Sequence, residues 1–516
     1  MKGRLTLCSL LLASLLVRGG DERLTPHRKN RRLEQAALEL LSAACVDKAC
    51  RNIINRYCLS WLQGLSGESD GPHKALAALV LAKISEQSVD EVTAKLSDLI
   101  VSSDGKRDYA IEGLAYTSLQ PTIKEKIAGN ATLLVMLAAA LKDRPTSAFG
   151  ALTVLSNLTV YRTVQSAEAK KMSQLKAYAN QTKPAPEDPL ENDKYVTSRC
   201  KKVLDADVVP AVVACCKQIT SPTNIALVVR VLLALAKEQK HRPKMAQQGA
   251  VRLLLQISER TAKTDKSSSD AALIQRNAAH ASARLLISVN PAHVFTSGLP
   301  ATTAVSALIS QLSDDNAGGQ RDLLPTFESL LALTNLASME DPAARDLIIR
   351  SAFDRIEELL FSPNSLIQRA AVELVCNLMA SPTGVAKFAD GSTDAKRRMQ
   401  ILLALADVAD LPTRRAAGGA LAMLTEWDLA ASAVLEAKEG RGVKAVLGMC
   451  EDESEEMRHR GLVCVSNLVR VDGEAGKRAV SMVKEQDGAA LLRRALKDSK
   501  NAELLEIGVE VLKRLV

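Results

Sequence analysis

Four asparagines stand where a primary amide could grip a peptide backbone. Asn157, Asn335, Asn377 and Asn467 each come immediately before a leucine that closes an apolar helical stripe. An amide offers two donors and an acceptor, so a ladder of them can pair with the main chain of an extended segment whatever its side chains are. At the same positions each amide could instead satisfy a neighbouring helix end, as most buried amides do. Arg345, Arg369, Arg414, Arg415 and Arg458 flank the same helices. A planar guanidinium there could clamp a partner's carboxylate, or simply lie in solvent.

Residues arranged for covalent chemistry are not found. There is no HExxH, GxGxxG or GxxxxGK[ST] motif, and the six histidines are scattered. GLSGESDG, around Ser66, is not a nucleophile elbow. Asp452, Glu453, Glu455 and Glu456 cluster in a turn before a helix, where carboxylates complement the N-terminal dipole more naturally than a metal. The ten cysteines form no CxxC clip, and most lie inside apolar helical patterns, where a free thiol behaves as a small hydrophobe. The expectation is a non-enzymatic protein with no catalytic residues, no cofactor and no metal.

The charge is informative by its location. Eleven basic against five acidic residues in the first 60 leave a surplus of six out of the chain's +8, so the body is nearly neutral. It has no sustained basic face for phosphate, and at 3% aromatics it has few stacking platforms. No nucleic-acid partner is expected. Lys2 and Arg4 precede an uncharged stretch, Leu5 to Val17, followed by Gly19 and Gly20. Three readings fit it: a secretory signal, the first apolar helix of the body, or a misplaced start in the gene model. Its 13 residues are too few to span a bilayer, and no membrane association is expected.

What must position the asparagines is a helical repeat. A hydrophobic fraction of 47% with so few aromatics calls for a core of Leu, Ala, Val and Ile. In IQRAAVELVCNLMASP the stripe runs Ile367, Ala370, Ala371, Leu374, Val375, Leu378, one buried face at period 3.6. Upstream, FDRIEELLFSPNS predicts a short helix from Phe353 to Phe361, stopped at Ser362 and Pro363, with Asn364 and Ser365 placed to cap the next. Two helices and a tight turn make one unit. It returns from Lys444 to Val469, with Met457, Gly461, Cys464, Val465 and Leu468 in the stripe, and again in RRAAGGALAMLTE. Leu336, Leu378, Leu424 and Leu468 are 42, 46 and 44 residues apart. This is the armadillo or HEAT period, and it predicts an all-α, right-handed superhelix whose function lies on a long concave surface. The Leu424 repeat carries Met423 where the others carry Asn. Thr182–Lys194 and Thr261–Asp270 read as exposed loops. The domains expected are an atypical terminus (1–30), a central armadillo region (31–190) and a carboxyl-terminal armadillo domain (191–516).

The segment RMQILLALADVADLPTRRAAGGALAMLTE (Arg398 to Glu426), with IQRAAVELVCNLMASP before it, resembles the carboxyl-terminal domain of the UCS family of myosin-directed chaperones. RYCLSWLQGLSG and YAIEGLAYTSLQPTIKEKI resemble that family's central armadillo region. The resemblance implies a cytoplasmic protein of the actomyosin cytoskeleton. It would bind the myosin motor domain, assist its folding and prevent its aggregation, often alongside Hsp90. No 34-residue TPR pattern is seen, as in the fungal form, so direct docking to Hsp90 is not implied. Self-association is left open. The resemblance places client binding in the groove, which makes Asn157, Asn335, Asn377, Asn467, Arg369, Arg414, Arg415 and Arg458 the candidate residues. A generic armadillo adaptor is the alternative. Transport adaptors carry regularly spaced Trp on inner helices, and this chain has only Trp61 and Trp427.

Overall fold

The structure is a computed structural model that describes residues 31–67, 73–84, 89–102, 107–143, 145–162, 188–218, 220–263, 269–313, 322–437, 440–497, 499 and 501–515. The reading of Leu5–Val17 lies outside them. The chain forms two compact units, Met1–Ala281 and Ser282–Val516, divided within the helix Ser269–Ile287. Among the described residues both consist of helices joined by turns, with one isolated bridge between Thr296 and Leu299.

In each unit one helix per repeat packs on its counterpart in the next. The first unit contributes α1 (Lys74–Ile84), α2 (Arg107–Thr117), α3 (Ala148–Thr159) and α4 (Pro222–Leu235). The second contributes α5 (Leu324–Ala337), α6 (Ser365–Leu378), α7 (Leu411–Leu424), α8 (Glu455–Arg470) and α9 (Ala502–Leu515). The periodic leucines explain the stacking. Leu336, Leu378, Leu424 and Leu468 are completely buried, as are the stripe residues Ala371, Leu374 and Val375 of α6 and Met457, Cys464 and Val465 of α8. No repeat could bury these faces alone, so neighbours share one core.

The repeat differs from the two-helix unit expected. Before α7 stand two helices, Pro382–Ala389 and Thr393–Leu405, and before α8 stand Asp428–Leu435 and Arg441–Cys450. The leading helix of each triplet is eight residues long, little more than two turns, which is too short for a 3.6-residue period to emerge from the sequence. Glycine makes the packing possible. A Cβ at Gly384, in the first short helix, would run into the Leu378 carbonyl at the end of α6. Upstream of α6 a single helix, Ala343–Leu359, replaces the short one expected from Phe353. Asn364 does cap α6, its side chain accepting from the Leu366 and Ile367 amides at 3.0 and 3.3 Å. In Thr182–Lys194, described from 188 onward, Pro189–Glu191 forms a 3-10 turn and a helix begins at Asp193. In Thr261–Asp270, residues 264–268 lie outside the described residues and Ser269 already opens a helix.

Buried arginines finish the helix ends. The last carbonyls of a helix lack intrahelical donors and carry the negative end of its dipole. Arg199, wholly buried, donates from Nε to the Leu158 carbonyl at 2.9 Å, closing α3. Arg242 does the same for α4 through Ala236 and Lys237 at 2.8 and 3.1 Å. Arg345 reaches Ala337, Met339 and Ala380 at 2.8, 2.7 and 3.2 Å. Far from awaiting a partner's carboxylate, Arg345 is a buried cap.

Candidate protein-binding faces

The asparagines are the first surprise of the site. Asn157 donates to the Ala115 carbonyl at 3.2 Å and the Ser118 hydroxyl at 2.9 Å, at the end of α2. Asn335 donates to the Leu286 and Ile287 carbonyls at 3.0 and 3.2 Å. Asn377 donates to Thr334 of α5 at 3.1 Å, and Asn467 to the Ala422 carbonyl and Thr425 hydroxyl at 3.3 and 3.1 Å. In every case the amide nitrogen is committed to the end of the preceding repeat's helix. The donor half of the expected grip is therefore spent inside the fold, because a helix end offers unpaired carbonyls within reach of the next helix. All four residues remain partly exposed, and no described group donates to their Oδ1 atoms. What survives for a partner is a row of acceptors on α5, α6 and α8, interrupted at Met423 on α7; Asn157 stands in the other unit.

The arginines are likewise engaged. Arg369 on α6 pairs bidentately with Asp410, at 3.1 and 2.6 Å, just ahead of α7. Arg414 on α7 pairs with Asp452 at 3.0 Å, just ahead of α8, and donates to the Val408 and Ala409 carbonyls. Arg415 pairs with Glu456, which Arg460 also meets. Arg458 donates to the Asp452 and Glu453 carbonyls at 2.9 and 3.0 Å. The acidic cluster before α8 thus serves the ladder between repeats as well as its own turn. Asp410 shows the effect on titration: the Arg369 guanidinium beside it, with Thr413, holds its carboxyl down at about 2. Glu373, one turn beyond Arg369 on α6, has no ion-pair partner among the described residues, and burial pushes its carboxyl up.

An apolar cleft opens in the first unit between α2 and α3, with a volume of about 410 Å³. Its walls include Tyr109, Tyr116, Leu119 and Phe149, which are 37, 44, 64 and 52% exposed, and Asn157 stands at the same site. Tyr109 and Tyr116 lie seven residues apart, on one face of α2; Phe149, Thr153 and Asn157 recur every four residues on α3. Lys83 of α1 sits 5.1 Å from the Tyr116 ring and bonds Glu112 at 2.8 Å. Burial, with the charges of Glu39, Glu112 and Asp108, pushes the Tyr109 hydroxyl up. None of these aromatics was singled out from sequence. Their spacing was the available signal, and with only six Tyr and six Phe in the chain each could pass for core.

The second unit has a larger, polar cleft of about 920 Å³, lined by Asp407, Arg414, Arg441, Lys444, Met449 and Asp452 among others. Its most prominent ion pair, Arg414–Asp452, belongs to the ladder between repeats. Among the described residues no group of His, Cys, Asp or Glu is placed to hold a metal ion, and no helix is long and apolar enough to cross a membrane. The described cysteines are free, and burial pushes the thiols of Cys200, Cys216 and Cys464 up to about 12.

Stacked helices that share one core from repeat to repeat define an armadillo-type helical array. Comparison with known proteins agrees. Residues 3–117 match the family model described as myosin-binding striated muscle assembly central. The chain is 31% identical over 445 residues to Ring assembly protein 3 of Schizosaccharomyces pombe, covering 85% of this chain and 56% of that protein. It is 27% identical over 378 residues to Protein unc-45 homolog B of Xenopus laevis, covering 72% and 39%. In fold it is similar to the crystal structure of the myosin chaperone UNC-45 from C. elegans in complex with an Hsp90 peptide, with a TM-score of 0.79 at 22% identity, covering 99% of this chain and 52% of that one. The chain belongs to the UCS-domain family of myosin-directed co-chaperones. It spans about half the length of the curated relatives it matches.

Proposed function

We propose that the chain is a cytoplasmic, non-enzymatic chaperone that holds partly folded segments of the myosin motor domain against the stacked helices of its carboxyl-terminal repeats, within residues 191–516. Hsp90 acts on the same client, engaging this chain indirectly or weakly. The supporting observation is the row of Asn335, Asn377 and Asn467. Each amide is fixed by its bond to the preceding helix, and each half-buried residue keeps an oxygen to which no described group donates, so that an extended chain's backbone N–H can donate there without any reading of side chains. Holding of this kind is preorganised, since the interaction between repeats has already frozen the amide.

The direct test is light scattering from a heated myosin motor fragment with and without the purified chain. Suppression of scattering, with co-sedimentation of the pair, is expected. A chain that neither binds nor protects the fragment sinks the reading. The gap at Met423 gives a sharper test. Met423→Asn places an amide where it can reach the Cys376 carbonyl, as Asn377 reaches Thr334 and Asn467 reaches Ala422. It completes the acceptor row and should tighten binding severalfold; a variant that is stabilised but binds no better removes the acceptors from the mechanism.

A further inference from the structure

Helix Arg31–Ala44 leads the first triplet, which it forms with Lys48–Gly67 and α1. It is apolar on two sides. Leu38 and Leu41 are buried, whereas Ala36, Leu40 and Ala43, spaced at i, i+4 and i+7, make a second stripe that is exposed, Leu40 by 46%. A surface helix keeps one apolar face, and a helix apolar on both belongs inside a stack. The other leading helices have a neighbour there: Asp193–Asp205 packs on α3 and Ala343–Leu359 on α5. The leading helix of a repeat also supplies an arginine to the end of the closing helix before it, Arg199 to Leu158, Arg242 to Ala236 and Arg345 to Ala337. Arg32 stands second in its helix, as Arg242 stands first and Arg345 third in theirs, yet it is exposed and bonds to no described residue. The stripe and the arginine both await a closing segment.

The chain ahead of this helix offers one. Leu5–Val17 is uncharged over 13 residues, comparable with 11 in α1 and α2 and 12 in α3. Its start, LTLCSLL, coincides with LTVLSNL of α3 at Leu5, Thr6, Ser9 and Leu11, which fall where α3 has Leu152, Thr153, Ser156 and Leu158. Leu152, Ser156 and Leu158 are buried in that helix. The family model spans residues 3–117, so it takes in this stretch together with the helix that it would meet. That match, not the stretch's place in the chain, joins it to the array. The 13 residues from Arg18 to Asn30 can reach about 43 Å when extended, ample for a return onto Arg31–Ala44.

We propose that Leu5–Val17 docks on Ala36, Leu40 and Ala43 as the closing segment of the joint ahead of the first triplet, with Arg32 donating to the carbonyls at its carboxyl end. Leu11 then takes the place of the closing leucine and Leu10 that of Asn157, so this joint, like the one at Met423, carries no amide. Docking withdraws from water both a long apolar run and the stripe that receives it. The inference is independent of the chaperone reading, whose holding row lies in the second unit.

The test uses the full chain and its native Cys8. Leu40→Cys puts a second thiol on the stripe, and Gln256→Cys puts one at an exposed position of the helix Ala250–Ala262, several repeats away. The thiols of the described residues are buried save for Cys376, so they compete little. A short bismaleimide should link Cys8 to position 40 at least tenfold more than to position 256, as read by peptide mass spectrometry. If Leu40→Cys melts early, Ala43→Cys takes its place. Hydrogen exchange across Leu5–Val17 should be at least tenfold slower than in an unstructured chain, and Leu40→Asp, which puts a charge on the stripe, should restore the fast rate. Equal linking to both positions, or fast exchange in the parent chain, overturns the proposal. Mixing isotope-labelled with unlabelled chain covers a second copy as the occupant: linked peptides of mixed mass as abundant as those of single mass assign the stripe to a neighbouring chain and overturn it. A chain recovered from its own cells that begins after Val17 overturns it as well.

Discussion

The two units solve one problem, joining a helix to its successor, with different chemistry. In the first unit the joint between the repeats of α3 and of the helix Asp193–Asp205 is a desolvated charge cluster: Arg199 meets the Leu158 carbonyl, Glu125 at 2.6 Å and Glu191 at 3.6 Å, and Lys124 meets Glu191 at 2.9 Å. From α6 to α8 in the second unit the joints are partly solvated and repetitive, Arg369 to Asp410, Arg414 to Asp452 and Arg415 to Glu456, one rung after another, and a single buried pair, Arg284 to Glu328 at 2.9 Å, stands ahead of them at α5. A concentrated joint gathers stability in a few residues and leaves neighbouring helix faces free to carry an aromatic cleft. A distributed joint spreads the same task over every repeat and makes the surface polar. The first arrangement is sensitive to single changes; the second degrades by degrees.

The largest effect should follow Arg199→Met, which takes a fully buried cation away from the partly buried carboxylates of Glu125 and Glu191 and leaves an uncapped helix end. A loss of about 3–5 kcal/mol is expected, because removing one partner of a buried ion pair strands the other. Proteolysis should then cut the first unit well before the second, and uniform susceptibility of both would break the contrast. Next comes Gly384→Ala, which forces a methyl group against the Leu378 carbonyl and should cost about 1–3 kcal/mol in a chemical denaturation series. Asn377→Ala should cost about 1–2 kcal/mol by leaving the Thr334 carbonyl without its side-chain donor. The effects of Asn335→Ala and Asn467→Ala should add to it, since distant sites are independent. Strong non-additivity would argue against a ladder of separate rungs.

The smallest effect is one of pH. Asp410 titrates at about 2 when folded against its ordinary 3.8, so the unfolded state takes up the proton first as pH falls. Its contribution is complete above pH 3.8 and disappears as pH drops from there to about 2. Arg369→Met should flatten the acid limb of the stability profile in that window. An unchanged profile would mean that the exposed rung contributes nothing, as many surface pairs do.

The repeat period, the buried stripes and the Asn364 cap were legible because each rests on local periodicity or on a side chain bonding its own turn. The leading short helices were not, since eight residues such as Pro382–Ala389 carry too little pattern. The candidate residues were found but their commitments were not. The acceptors of Asn157, Asn377 and Asn467 lie 39 to 45 residues away in sequence, a distance at which spacing alone cannot distinguish an amide offered to a partner from one consumed by the fold. Arg199 was invisible for a related reason. A guanidinium is expected in water unless several acceptors converge on it, and its acceptors come from three separate segments.

Met423 gives the second unit a grain. Every other junction noted along that row carries an amide bond near the closing leucine; between α6 and α7 the side-chain polar bond among the described residues lies at the opposite end, between Arg369 and Asp410. Like a zip with one tooth missing, the stack should part there first, swinging about the surviving fastening, so that hydrogen exchange is fastest around Leu378 and Leu424. A stack with a built-in crease can open at one junction and close again without unfolding as a whole.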